Sequence, residues 1–220
     1  MDFYVGGDFT NYNGTTANYL IRLHQDGRVA QTFGQGFNGP VGALAPATDG
    51  SHALYVSGAF SQFNGQAAPP VIRITANGLR DSSFQFNGLF GDQAFHSTGV
   101  GGFLTVTEDG SRDVYVAGDV VEQLPDISVN HVIGRVVRLH PDGSHDLAFG
   151  DVRFLRPPDD NTAVVWAIAV PPGSGKVYVG GLLGAPSGLI RLNPDGTLDS
   201  SFASGAEGGS AGAIAFAADG

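Results

Sequence analysis

Arg138-Leu139-His140-Pro141-Asp142-Gly143, followed at a fixed distance by Phe149, decides the fold because the chain spells this phrase four times. The other copies are Arg22-Leu23-His24-Gln25-Asp26-Gly27 to Phe33, Arg73-Ile74-Thr75-Ala76-Asn77-Gly78 to Phe84, and Arg191-Leu192-Asn193-Pro194-Asp195-Gly196 to Phe202. Arg and Phe are 11 residues apart in every copy, whereas successive Arg residues are separated by 51, 65 and 53. A rigid hairpin therefore recurs between connections of variable length, which marks an internally repeated architecture.

The turn chemistry sets the register of that hairpin. A three-residue loop made of a type I turn and a left-handed glycine takes Pro first, Asp or Asn second and Gly third. Pro141-Asp142-Gly143 and Pro194-Asp195-Gly196 match at each position. Such a loop sets His140 opposite Ser144 and Arg138 opposite Asp146, with Arg73 opposite Asp81 and Arg191 opposite Asp199. The first copy has Ala30 at this point, so Arg22 is expected to be unpaired in its own repeat. Opposite charges facing across strands contribute about 0.2–1 kcal/mol, so these pairs read as register markers rather than ligand sites.

Each repeat carries three further phrases. Tyr-Val-x-Gly occurs at Tyr4, Tyr55, Tyr115 and Tyr178, and precedes the Arg strand. A short apolar run occurs at residues 41–45, 100–106, 164–170 and 211–217. Asp49-Gly50, Asp109-Gly110 or Gly173-Ser174-Gly175 then leads into the next Tyr-Val-x-Gly. Sixteen short strands with two tight turns per unit predict an all-β chain of four antiparallel four-stranded sheets, one domain over residues 1–220. The repeats fall at about 1–50, 51–110, 111–175 and 176–220.

Composition agrees. With 34 Gly, 15 Phe, one Lys and no Cys, turn formers outnumber the best surface-helix formers, and neither a disulfide nor a zinc-thiolate site can form. A chain of this length buries about 70% of its unfolded surface, enough for a core without staples. The net charge of −10 argues against nucleic acid and anionic membrane surfaces, which require clustered Lys and Arg. No apolar run reaches the roughly 18 residues of a membrane span, and no signal peptide is visible.

Tyr-Val-x-Gly, Arg-Leu-x-x-Asp-Gly-x-x-Asp-x-x-Phe and apolar-Ala-x-Ala-x-x-x-Asp-Gly together resemble the bacterial delta-60 repeat, a β-propeller blade family, and are more distantly similar to the NHL blade. The resemblance covers nearly the whole chain. It implies that the apolar run is the innermost strand of each blade, Tyr-Val-x-Gly the second, the Arg strand the third and the Phe strand the outermost. On that order residues 211–217 pair beside residues 3–7 and close the ring, the alternative being a fragment of a larger propeller. Ala30, the short stretch 182–188 and the long insertions of the middle blades depart from the pattern.

Several tempting motifs have structural explanations. Gly34-Gln35-Gly36-Phe37-Asn38-Gly39 matches G-x-G-x-x-G, but a strand rather than a helix follows it, so no dinucleotide site is expected. The Asp-Gly turns lack the converging oxygens of a calcium loop. His140 and His145 flank one turn and read as hairpin side chains, Trp166 as core packing, and Asn13-Gly14-Thr15 as a glycosylation sequon relevant only to a glycosylating source. No cofactor or metal site is expected. The four apolar runs carry no acid, base or His, so channel-mouth catalysis would have to come from loops.

The Asp-Gly turns share one end of the meander, which assigns every connection of variable length to the other end. Residues 85–99, with Phe86, Phe90, Asp92, Phe95 and His96, and residues 150–163, with Arg153, Phe154 and Arg156, form the candidate recognition surface, beside residues 119–134. Phe90, Phe95 and Phe154 are its expected anchors. The expectation is a non-enzymatic binding or adhesive module of a bacterial secreted or cell-surface protein, within a larger chain or assembly, taking a protein or glycan. A loop-based carbohydrate hydrolase or lyase, or a purely structural repeat spacer, are the alternatives.

Overall fold

The computed structural model describes residues 2–86, 103–106, 112–123, 130–150, 152–154, 163–171, 173–183, 188–202 and 209–217. The first repeat contains β1 (Asp2–Gly6), β2 (Asn11–Tyr12), β3 (Thr15–Thr16), β4 (Leu20–His24) and β5 (Val29–Thr32). The second contains β6 (Val41–Pro46), β7 (Leu54–Gly58), β8 (Gln62–Phe63), β9 (Gln66–Ala67) and β10 (Val71–Ile74). β11 (Phe103–Val106), β12 (Val114–Gln123), β13 (Asn130–Leu139) and β14 (Val152–Phe154) form the third, and β15 (Val164–Ala169), β16 (Val177–Leu182) and β17 (Leu189–Leu192) the fourth. No helix occurs among the described residues.

Among the described residues the strands pair into four larger antiparallel sheets, in the orders β1-β4-β5, β6-β7-β10, β11-β12-β13-β14 and β15-β16-β17, and two two-stranded ones, β2-β3 and β8-β9. In the last three of the larger sheets the apolar run is flanked by the Tyr-Val strand and that strand by the Arg strand, as the resemblance implies. Neighbouring sheets meet along their first strands, with β1 against β6, β6 against β11 and β11 against β15.

The core lies between sheets, which is why these strands are apolar on both sides. Leu20, Phe33 and half-buried Tyr4 of the first sheet pack on Leu54, Val56, Ile72 and Ile74 of the second. Tyr55, Val71 and Phe84 meet Val114, Val116, Ile133, Val137 and Leu139, and Tyr115, Val136 and Phe149 meet Val165, Val177, Val179 and Leu192. Full burial of one such side chain contributes about 1.5–3 kcal/mol.

The four hairpins follow the expected loop. Gly143 donates to His140 and His140 to Ser144, with the same pattern at residues 24–28, 75–79 and 193–197. Gly27, Gly78, Gly143 and Gly196 occupy the left-handed region at φ of 81°, 79°, 86° and 82°. Each later turn also rests on the preceding sheet. A Cβ on Gly78 would meet Phe33, one on Gly143 the backbone of Gln85 at 2.6 Å, and one on Gly196 the Phe149 carbonyl.

Several expectations are corrected. The strand running to the Phe is reduced to single bridges, Ile74 to Arg80, Leu139 to His145 and Leu192 to Leu198. Just beyond, Asp81, Asp146 and Asp199 accept the amides of Ser83, Ala148 and Ser201 and turn the chain out of the ladder. Ala30 cannot accept such a bond, and the first repeat instead continues as β5, with a bulge between Arg22 and Leu23. Residues 119–134, expected as a loop, include the ends of β12 and β13, which pair as far as Gln123 and Asn130. Arg153 and Phe154 lie on β14, the outermost strand of the third sheet, rather than in a loop. Among the described residues β1 pairs with β4, and no ladder joins residues 211–217 to residues 3–7.

Candidate functional site

One cluster recurs in every repeat and explains the constant Arg-to-Phe spacing. The Tyr of the Tyr-Val strand meets the Phe of its own repeat, with ring centroids 6.2, 5.2, 5.4 and 5.5 Å apart from the first copy to the fourth. The Arg guanidinium lies over one of these rings or both. It also pairs with the hairpin carboxylate, Arg73 with Asp81 at 3.1 Å, Arg138 with Asp146 at 2.6 Å and Arg191 with Asp199 at 2.8 Å. All three expected pairs are present. Arg22, expected to be unpaired, binds Asp2 at 3.0 Å. The partner comes from β1, because the Tyr4–Arg22 register places Asp2 diagonally beside Arg22 on the same face.

Asp113, His140 and Asp146 bring three ligand atoms close enough for a metal ion. Arg138 stands among them, 3.7 Å from Asp113 and 2.6 Å from Asp146, and already neutralises the carboxylates a cation would use. Burial raises the Asp113 carboxyl above its ordinary value against the pull of Arg138. Burial also acts on Asp146, but the Ala148 amide and Arg138 outweigh it and hold that group low. The trio is an ion-pair hub of one repeat.

Asp49 and Arg112 border a cavity of about 270 Å³ between the second and third repeats, on the end that carries the Asp-Gly turns. Arg73, Ser83 and Asp142 line it as well. Burial pushes the Asp49 carboxyl up, but the Ser51 hydroxyl and amide and the charge of Arg73 bring it down to about 2. Arg112 and His52 hold the same place after Asp-Gly-Ser and share a left-handed backbone, at φ of 60° and 56°. In the fourth repeat Gly175, at φ 61°, takes this place.

A larger cleft, about 540 Å³, is lined by Pro69, Arg80, Ser82, Phe84, Gln85 and Phe86. Arg80 spans from its turn to the Ala67 carbonyl at 2.9 Å. Of the expected recognition residues, Phe86 lies in this cleft and also packs against the core between the second and third sheets. Phe154 packs against the core between the third and fourth sheets, and Arg153 is exposed on β14. Phe90, Asp92, Phe95, His96 and Arg156 lie outside the described residues.

Sequence reasoning passed over Arg80 and Arg112, whose places in the other repeats are not held by arginine, and also the hairpins β2-β3 and β8-β9. Those hairpins did have a signal. Asn13-Gly14 and Asn64-Gly65 are two-residue turns with both residues at positive φ, the strongest short-range hairpin cue. Asn64 then ties its hairpin to the connection from the first repeat, its side chain accepting the Gly36 amide at 3.0 Å.

Residues 4–33, 54–84 and 173–202 match the sequence profile of a β-propeller domain of unknown function, DUF5122. No curated protein matches the chain. The three matched segments each run through one copy of the Tyr–Arg–Phe cluster, and with the all-β series of small antiparallel sheets they support a β-propeller repeat family.

Proposed function

We propose that the chain is a non-enzymatic binding or adhesive module of a bacterial secreted or cell-surface protein, recognising a protein or glycan at the root of residues 87–102. We also take its repeats as delta-60-type blades of four strands, with residues 211–217 as an inner strand. The observation that carries the binding reading is the cleft of about 540 Å³ where Phe86 leads into that segment. Its volume lies in the range of ligand clefts, and its Arg and Phe lining has the composition of recognition surfaces. Glycoside hydrolysis needs a carboxylate pair, and none of the six described residues around this cleft is acidic.

The test is an array of immobilised oligosaccharides and surface proteins probed with the labelled chain, together with an assay for released reducing ends. Binding without release is expected, weakened at least about tenfold by Arg80→Ala or by Phe90→Ala with Phe95→Ala. Phe86 and Phe154 are unsuitable probes because both pack against a core. An array with no bound spot, or release of reducing ends, would overturn the proposal.

A further inference from the structure

We propose that the cleft beside Phe86 recognises an acidic glycan, with the carboxylate of a uronic acid residue held by Arg80 and the sugar ring laid against Phe86 and Pro69. This rests on the reading of that cleft as the binding site and names the ligand chemistry it selects.

Arg80 is the one charged group among the described residues that line the cleft. Arg22, Arg28, Arg73, Arg138, Arg191 and Lys176 each meet a carboxylate within 3.1 Å. Arg80 instead donates through Nη1 to the Ala67 carbonyl at 2.9 Å. A neutral acceptor orients a guanidinium without cancelling its charge. The adjacent carboxylate is committed elsewhere, since Asp81 takes the Arg73 guanidinium at 3.1 Å and the Ser83 amide at 2.9 Å. Successive residues of an extended segment point to opposite sides, which separates Arg80 from Asp81.

The repeat itself does not require this cation. Arg80 stands opposite Ile74, and the same place is held by His145 opposite Leu139, Leu198 opposite Leu192 and Val29 opposite Leu23. Asp81, by contrast, recurs as Asp146 and Asp199. The hairpin therefore forms without an arginine here, and the second repeat differs in the cleft that its arginine lines.

The chemistry of the lining selects a carboxylate on a sugar. With Nη1 on Ala67, the Nε–Nη2 edge of the guanidinium is the fork that matches a carboxylate through two parallel bonds. Ser82 and Gln85 are exposed at the cleft and carry hydroxyl and amide groups that both donate and accept, as sugar hydroxyls require. Phe86, packed against the core, and half-buried Pro69 supply fixed apolar walls for the C–H face of a pyranose ring. A polysulfated chain fits less well. It extends beyond the Debye length of about 8 Å and meets the net charge of −10, whereas a single carboxylate lies within reach of Arg80.

The test applies the labelled chain to immobilised oligogalacturonate, oligoglucuronate and hyaluronan oligosaccharides, and to the same sugars after reduction of their carboxylates to alcohols. Neutral oligosaccharides, sulfated oligosaccharides and peptides ending in Asp or Glu complete the set. At least one uronate series should bind, and its reduced counterpart at least about tenfold more weakly, a comparison that needs no variant. Arg80→Gln should remove the preference for the unreduced sugar, and Arg80→Lys should restore only part of it, because a point charge lacks the fork. Arg28→Gln, at an exposed ion pair of the first repeat, should bind as the wild type does. Equal binding before and after reduction, equal weakening by Arg28→Gln, or Arg80-dependent binding confined to neutral sugars, sulfated sugars or acidic peptides would overturn this inference while leaving the cleft a binding site. No bound spot of any kind would overturn that reading as well.

Discussion

Asp146 holds two structural roles at once. One oxygen takes the Arg138 guanidinium and the other the Ala148 amide, so the residue that balances the cation also ends the strand. It is 5% exposed. Asp146→Ala leaves a half-buried guanidinium and a turn amide short of an acceptor, and should cost about 1–3 kcal/mol in urea denaturation. Asp2→Ala, at a more exposed pair, should cost less. The Arg–Asp pairs across the hairpins were legible because loop length alone fixes which residues face each other. Arg22–Asp2 was not, because it depends on how a strand 15 or more residues away aligns, and no local rule gives that.

At the scale of elements, the turn glycines separate backbone strain from packing. Gly50 (φ 77°) has open space where a Cβ would go, whereas at Gly196 (φ 82°) a Cβ would meet the Phe149 carbonyl. Gly50→Ala should therefore cost about 1–2 kcal/mol, the left-handed penalty alone. Gly196→Ala should cost distinctly more, because no side-chain adjustment moves a carbonyl, and paired thermal melts will show the difference. The Asp-Gly hairpins could be read residue by residue, since turn type and spacing are local properties. The outermost strand could not. Val152-Arg153-Phe154 reads as an apolar-charged fragment, and only the length of β13 gives it an edge to join. For the recognition surface the sequence marked Phe86 and Phe154 by their aromaticity, but an aromatic ring in a connection serves packing as readily as binding, and the pattern carries no term for which neighbour it meets.

For the whole molecule, charge sets the response to acid. Burial opposes ionisation of Asp49, yet Ser51 and Arg73 bring its carboxyl to about 2, and Asp142, Asp146 and Asp195 also lie below their ordinary value. A carboxyl lowered on folding stabilises above its unfolded value of about 3.9, and that stabilisation is lost as the pH falls through the folded value. Asp113, raised by burial, acts in the opposite sense and offsets part of the loss. The melting temperature should thus be nearly flat from about pH 7 to 5 and fall between about 4 and 2, and Asp49→Asn should make that fall shallower. The resting of Gly78, Gly143 and Gly196 on the repeat before each has a consequence for descent. A unit that recognises its predecessor through one turn glycine resting on the end of the preceding repeat can be duplicated in tandem without inventing a new interface. Selection is then free to diversify the connections while the joint itself stays unchanged, so unit number can drift by whole-cassette gain or loss.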